Sequence, residues 1–142
     1  MLSRDEKVTL LRKVGLFVHT RDDLLATLAE RASEADFPAG RRLITQGQVG
    51  NGLFVIVDGR VRILRDDEEV ITLGAGEVVG ELGVIDQVPR AASVVAAEPT
   101  RCLALASWDF LDAVEHDPEL ALGVMRVLAA RLRDVVGDHH HH

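Results

Sequence analysis

The chemistry this sequence offers is concentrated in one short segment. Gly80, Glu81, Gly83 and Arg90 lie in the run Gly80-Glu81-Leu82-Gly83-Val84-Ile85-Asp86-Gln87-Val88-Pro89-Arg90-Ala91-Ala92-Ser93, which interrupts a region of short apolar stretches. Glycines let main chain approach a ligand closely, and a short helical turn between strands would point unsatisfied N–H groups at an anion. Arg90, set in extended chain by Pro89, can form paired charge-assisted bonds to phosphate oxygens. Glu81 has the wrong sign for phosphate, and a carboxylate there suits a ribose hydroxyl, as in other nucleotide sites. A second reading stands beside this one: the glycines are turns between strands, and Glu81 and Arg90 pair with each other at the surface.

Elsewhere the titratable residues point to structure. Cys102 is the sole cysteine and lies in the apolar run Cys102-Leu103-Ala104-Leu105, so it reads as a buried strand residue and there is no disulfide framework. His19 and His116 are far apart in sequence, with no cysteine or third histidine beside them. Arg126, Arg131 and Arg133 have two readings, contact with a ligand and, by default, a solvated helix face. No catalytic residue, metal ligand or cofactor is assigned.

The elements that must position the segment run helix, strands, helix. Ser3-Arg4-Asp5-Glu6 is a capping box, followed by Val8, Leu10, Leu11 and Val14 at helical spacing. Thr20 is expected to open a second helix, with Asp22 and Asp23 in its first turn and Leu24, Leu25, Leu28 and Ala29 as its inner stripe. From Ser33 to Ala106 the runs are short, β-branched and punctuated: a turn at Pro38-Ala39-Gly40, strands at Leu43–Thr45, Leu53–Val57, Val61–Leu64, Val70–Leu73, Ala92–Ala97 and Arg101–Leu105, and turns at Asp58-Gly59, Asp66-Asp67 and Gly74-Ala75-Gly76. Ser107 is placed as the cap of a short helix carrying Phe110, Leu111 and Val114. Asp117-Pro118-Glu119 starts a last helix, Asp at N-cap and Pro at N1, running to about Val136 before Gly137. Its apolar face is broad enough to need a partner, and Val124, Leu128 and Val135 are candidates for a contact between two subunits. The fold class is mainly β with flanking helices: an antiparallel, jelly-roll-like β-roll (a double-stranded β-helix) with N-terminal helices and a C-terminal helix pair.

Composition bounds the partners. The 142 residues fit one domain, taken as residues 1–138, with His139–His142 reading as an expression tag. A net charge of -7, with Arg60, Arg62 and Arg65 outnumbered by acids, argues against a nucleic-acid surface. No apolar run approaches the ~18 residues of a membrane span, and the charged stretch Met1–Lys13 is unlike a signal peptide, so a cytoplasmic location is expected.

Gly80-Glu81-Leu82-Gly83 followed by Pro89-Arg90-Ala91-Ala92-Ser93-Val94 resembles the phosphate-binding cassette of cyclic-nucleotide-binding domains, as in the catabolite activator protein family, protein kinase A regulatory subunits and nucleotide-gated channels. The likeness extends to Gln46-Gly47-Gln48-Val49-Gly50-Asn51-Gly52-Leu53-Phe54-Val55-Ile56, similar to the family's glycine-marked entry to its central hairpin, to the N-terminal Leu10–Phe17 stretch, and to Phe110, Pro118 and Leu128–Arg133 in the closing helices. It implies that Glu81 accepts from the ribose 2′-hydroxyl and that Arg90 pairs with the cyclic phosphate. It implies further that N–H groups near Gly83 and Ala91 complete the cradle, and that Val79, Leu82 and Ala92 line the sugar and base cavity. Gln48 and Asn51 depart from acids frequent in the family. Members favouring cyclic GMP often carry Thr or Ser where this chain has Ala91, so cyclic AMP is the expected ligand and cyclic GMP the second candidate. The chain has no Tyr, and its single Trp, Trp108, is expected in the core, so any lid over the base is aliphatic, with Leu128, Leu132 or Val136 the candidates.

The reading that results is a regulatory ligand sensor and not an enzyme. Cyclic nucleotide is its expected partner and ligand binding is expected to move the C-terminal helix; a homodimer through that helix and excision from a larger protein at Asp138 are further candidates, with full length and excised domain both open. Its rivals are a same-fold dimerisation module that does not bind nucleotide, and a cupin-type enzyme, which would need metal-binding histidines that the strand region lacks.

Overall fold

The computed structural model describes residues 1–48, 52–80, 90 and 92–140, and of residues 134, 135 and 137–140 it describes the backbone alone. Helix α1 (Arg4–Arg12) begins on the expected capping box: Ser3 Oγ accepts from the Glu6 amide at 3.1 Å, and the Ser3 amide donates to Glu6 Oε1 at 3.1 Å. A 3-10 turn, Gly15–Phe17, leads to α2 (Asp22–Arg31). Here the expectation is corrected. Arg21, not Thr20, is the N-cap of α2, and its side chain makes no capping bond; its amide donates instead to the distant carboxylate of Asp117.

The strands are β1 (Ser33–Phe37), β2 (Arg42–Ile44), β3 (Gly52–Asp58), β4 (Arg60–Arg65), β5 (Glu68–Gly74), β6 (Val78–Val79), β7 (Ser93–Ala96) and β8 (Thr100–Ala106). They pair antiparallel in two sheets, ordered β1-β8-β3-β6 and β2-β7-β4-β5, which make the roll. Asp66 and Asp67 take positive φ of 53° and 66° in the two-residue loop joining Arg65 to Glu68, the geometry that matches a tight hairpin to strand twist. Two strands have no counterpart in the sequence reading. One is β1, which contains no β-branched residue and is fixed by its partner: Asp36 faces Arg101 across the pair and bonds its Nε at 2.9 Å. The other is the two-residue β6.

Alternation along the first sheet feeds two cores. Leu53, Val55, Val78, Leu103 and Leu105 face the helices and pack with Leu11, Phe17, Leu25, Leu28, Phe110 and Leu120. Ile56, Val79 and Cys102 face the roll interior and pack with Ile44, Val61 and Val94. Burial of each such side chain contributes roughly 1.5–3 kcal/mol. Phe17 and Phe110 meet edge to face at 6.3 Å in the helical core.

Helices α3 (Ser107–His116) and α4 (Pro118–His140) close the chain. Trp108 is not in the core: it is 68% exposed. It precedes the buried Phe110 by two positions, about 200° around the helix, so the two rings face opposite ways. Helix α4 continues past Gly137 to His140. A glycine inside a helix costs only about 1 kcal/mol and does not stop it unless the chain turns there. At Gly123 a Cβ would lie 2.5 Å from the Leu16 carbonyl oxygen, so only glycine lets α4 cross the 3-10 turn this closely. Val124 is buried in the chain's own helical core, which removes it from the expected contact between subunits; Leu128 is half-buried against the same core, and the side chain of Val135 lies outside the described residues. Among the described residues no helix is long and apolar enough to cross a membrane.

Candidate functional site

Strand β6 ends on Gly80, whose φ of +94° is one that side-chain-bearing residues rarely adopt. A Cβ at this position would also come within 3.1 Å of Arg90 Nη1, the Gly52 carbonyl oxygen and Ile44 Cδ1. The glycine is therefore required twice, for its turn and for the approach of the arginine.

Arg90 is 7% exposed, an unusual burial for a permanent charge. Nη1 donates to the Gly80 carbonyl at 2.6 Å and Nη2 to the Gly52 carbonyl at 2.7 Å. Its main chain is stitched as well: the Arg90 amide donates to the Gln48 carbonyl at 2.9 Å, and the Gly47 amide donates to the Arg90 carbonyl at 2.9 Å. The two side-chain bonds thus orient the guanidinium between the end of β6 and the start of β3, and the two main-chain bonds tie Arg90 to the loop after β2. Such a group offers a fixed positive charge and a planar set of N–H donors at the edge of the roll, the chemistry that suits an anion with paired oxygens.

A second layer holds that loop. Ser93 is buried, and its Oγ accepts from Arg42 Nη1 at 2.7 Å and from the Gln46 amide at 2.9 Å. The Gln46 side chain grips the β4–β5 hairpin, Nε2 donating to Asp66 Oδ1 and Oε1 accepting from the Asp66 amide, both at 2.9 Å. The sequence reading quoted Gln46 and Ser93 only within longer matches and did not single out Arg42; a polar side chain's long-range partner leaves no local signal.

The structure brings Val79, Gly80 and Arg90 together. Val79 points into the roll core, and Ala92 is half-buried beside β7. Glu81, Leu82, Gly83 and Ala91 lie outside the described residues. Of the lid candidates, Leu128 packs on the helical core, while Leu132 and Val136 are exposed at 64% and 42%. Arg131 is not a solvated residue of α4 as its pattern suggested: it is half-buried, and Nη2 donates to the Val78 carbonyl at 2.6 Å. Cys102 is fully buried; burial, with a smaller contribution from Asp36, pushes its thiol up to about 12, so it is protonated and inert at neutral pH.

Comparison with known proteins agrees with this architecture. Residues 34–117 match the family model for the cyclic nucleotide-binding domain. The chain is 35% identical over 103 residues to the cyclic AMP receptor protein of Thermus thermophilus, covering 69% of this chain and 48% of that protein. It is 31% identical over 134 residues to the CRP-like cAMP-activated global transcriptional regulator of Mycobacterium tuberculosis, covering 87% of this chain and 58% of the relative. The crystal structure of the Thermus thermophilus catabolite activator protein superposes with a TM-score of 0.77 at 29% identity, covering 87% of this chain and 61% of that one. The chain spans about half the length of the curated relatives it matches.

Proposed function

Since the chain belongs to the cyclic nucleotide-binding domain family, we propose that it binds cyclic AMP in the roll, in preference to cyclic GMP, and passes occupancy to α4 as a regulatory sensor and not as an enzyme. The observation that carries this reading is the buried guanidinium of Arg90, held by the carbonyls of Gly80 and Gly52. In this reading Arg90 pairs with the cyclic phosphate and Glu81 accepts from the ribose 2′-hydroxyl. Main-chain N–H groups near Gly83 and Ala91 complete the cradle, and Val79, Leu82 and Ala92 line the cavity. Relatives named as a cyclic AMP receptor and a cAMP-activated regulator support the choice of ligand and of role. The ligand acts by binding one position of α4 better than another.

Calorimetry tests the reading. The protein is expected to bind cyclic AMP one to one and saturably, and to melt at higher temperature as ligand rises, because only the native state binds it. Removing one partner of a buried charge pair costs roughly 2–5 kcal/mol, so Arg90→Ala is expected to weaken binding by about 1.5–3.5 decades. Arg90→Lys recovers part of the loss, since it supplies a point charge and no fork. No heat and no thermal shift at millimolar ligand overturns the proposal in favour of a same-fold module that only dimerises.

A specific observation supports dimerisation in either case. Leu122, Met125, Ala129, Leu132 and Val136 are all exposed and follow one another at alternating spacings of three and four along α4. That is the a/d pattern of a coiled-coil seam, and a second copy of this chain is the partner it fits.

A further inference from the structure

We propose that the recess at the far end of β3 is a binding site for a small organic cation, an ammonium ion carried on an apolar body, with the carboxylate of Asp58 as its counter-ion. The site is separate from the nucleotide site and does not depend on it. Arg90 bonds the first residue of β3, Gly52, and Asp58 is the last, about 20 Å along the strand.

The recess has a volume of about 710 Å³, within the range of small-molecule sites, and Leu2, Phe37, Val57 and Pro99 give it apolar walls. Its polar groups form a ladder. Along the sheet order β1-β8-β3, Asp36 pairs with Arg101 and Arg101 pairs with Asp58, so acid, base and acid stand side by side on three neighbouring strands. Residues paired in this way put their side chains on one face, and all three line the recess. The register of β3 against β8 shifts between Ile56 and Asp58, a bulge that brings both Val57 and Asp58 to this face. The charges do not balance. Arg101 Nε donates to Asp36 Oδ1 at 2.9 Å, and its Nη1 lies 4.0 Å from Glu34 Oε1. The Arg101 pKa is raised chiefly by Asp36, with smaller contributions from Glu34 and Asp58. Glu34 also accepts from the Leu2 amide at 2.9 Å, which fixes one wall. One guanidinium thus serves three carboxylates, and Asp58, which is exposed, has no ion pair among the described residues. Arg60, two positions further on, is engaged by Glu98 at 3.0 Å. A carboxylate without a counter-ion beside an apolar wall suits a cation that buries its body there, and the chain's charge of -7 draws cations toward it. A phosphate or carboxylate ligand meets the wrong sign.

Nuclear magnetic resonance on the full chain tests this with phenethylamine as the ligand. The amine is expected to shift the amides of residues 36–37, 57–58 and 100–101 saturably. It should bind about fivefold tighter than phenethyl alcohol or phenylacetate, which share its body without its positive charge. Asp58→Asn is expected to weaken the amine by about the same fivefold. Arg101→Gln is expected to act in the opposite sense and tighten it about twofold, because Asp36 and Glu34 then lose their competing cation. A contact that only holds β1 to β8 gives no such gain. Both substitutions are at exposed residues, and the same spectra report that the fold is kept. An amine that binds no tighter than the alcohol, an unchanged affinity in Asp58→Asn, or no gain in Arg101→Gln overturns the proposal. So does binding of a blocked lysine tripeptide where the free amine fails, which assigns the recess to a protein partner.

Discussion

Asp117 Oδ2 accepts the main-chain N–H of Arg21 at 3.3 Å, joining the start of α2 to the start of α4. Oδ1 of the same carboxylate accepts the Glu119 amide at 3.0 Å. One side chain, 1% exposed, thus caps two helices whose positive ends converge on it. Asp117→Ala removes a cap and leaves two amides without that acceptor, and is expected to cost about 2–4 kcal/mol. Asp117→Asn keeps one acceptor and turns an N–H toward the other amide, so it falls between wild type and Ala. Urea unfolding measures both as a lower midpoint at unchanged slope; a loss under about 0.5 kcal/mol for Ala means that the two helices are positioned by packing alone.

That relationship also marks what local sequence can and cannot show. The cap of α4 was legible because Asp117-Pro118-Glu119 carries its own signal, and so was the capping box at Ser3, with donor and acceptor three positions apart. The start of α2 was misplaced because its capping carboxylate is 96 positions away. Strand β1 was missed because Ser33–Phe37 has no β-branched residue and relies on Arg101 across the sheet. Trp108 was misplaced by a general tendency of aromatics to be buried, which its position two residues before Phe110 overrides. In the site, Gly80 and Arg90 could be read from residue type and order. The grip of Arg131 on a main-chain carbonyl could not, since nothing in a sequence distinguishes an arginine in water from one that reaches a strand.

Gly80 should tolerate no side chain. Gly80→Ala meets both an unfavourable φ and three atoms at 3.1 Å, among them Arg90 Nη1. The backbone strain alone costs about 1–2 kcal/mol. We expect a stability loss of at least that size together with weaker binding of cyclic AMP, because the new methyl pushes on the guanidinium. Thermal unfolding and calorimetry read the two effects. Native affinity in a destabilised Gly80→Ala would mean that Arg90 does not hold the ligand from its present position.

The seam on α4 predicts an oligomer sensitive to single charges. Met125→Glu and Leu132→Glu replace side chains that are 60% and 64% exposed, so the folded subunit should keep its stability within about 0.5 kcal/mol. Sedimentation of the wild type should show a concentration-dependent dimer, and either substitution should shift it toward monomer. Val124→Glu is the contrast. That side chain is buried in the helical core, and an unpaired charge there should unfold the subunit and not merely separate the pair. A monomeric wild type at all accessible concentrations removes the second copy as the partner of this face.

Base choice depends on a side chain that lacks a hydroxyl. Ala91 follows Arg90 directly in the sequence, at the position where relatives favouring cyclic GMP often carry Thr or Ser. A guanine amino group entering there meets no acceptor from Ala91, and an unpaired polar group in a closed site costs roughly 1–3 kcal/mol, less where water enters. Adenine has no such amino group. Cyclic AMP is therefore expected to bind about a decade or more tighter than cyclic GMP. Ala91→Thr supplies the hydroxyl and is expected to improve cyclic GMP by roughly 0.5–1.5 kcal/mol while leaving cyclic AMP nearly unchanged. Its added volume can offset the gain by overpacking, and Ala91→Ser separates the two effects because it adds the hydroxyl without the methyl. Competition calorimetry with both nucleotides measures the ratio. A wild type that already prefers cyclic GMP, or a ratio that neither substitution moves, transfers the selectivity from Ala91 to the residues α4 brings to the base.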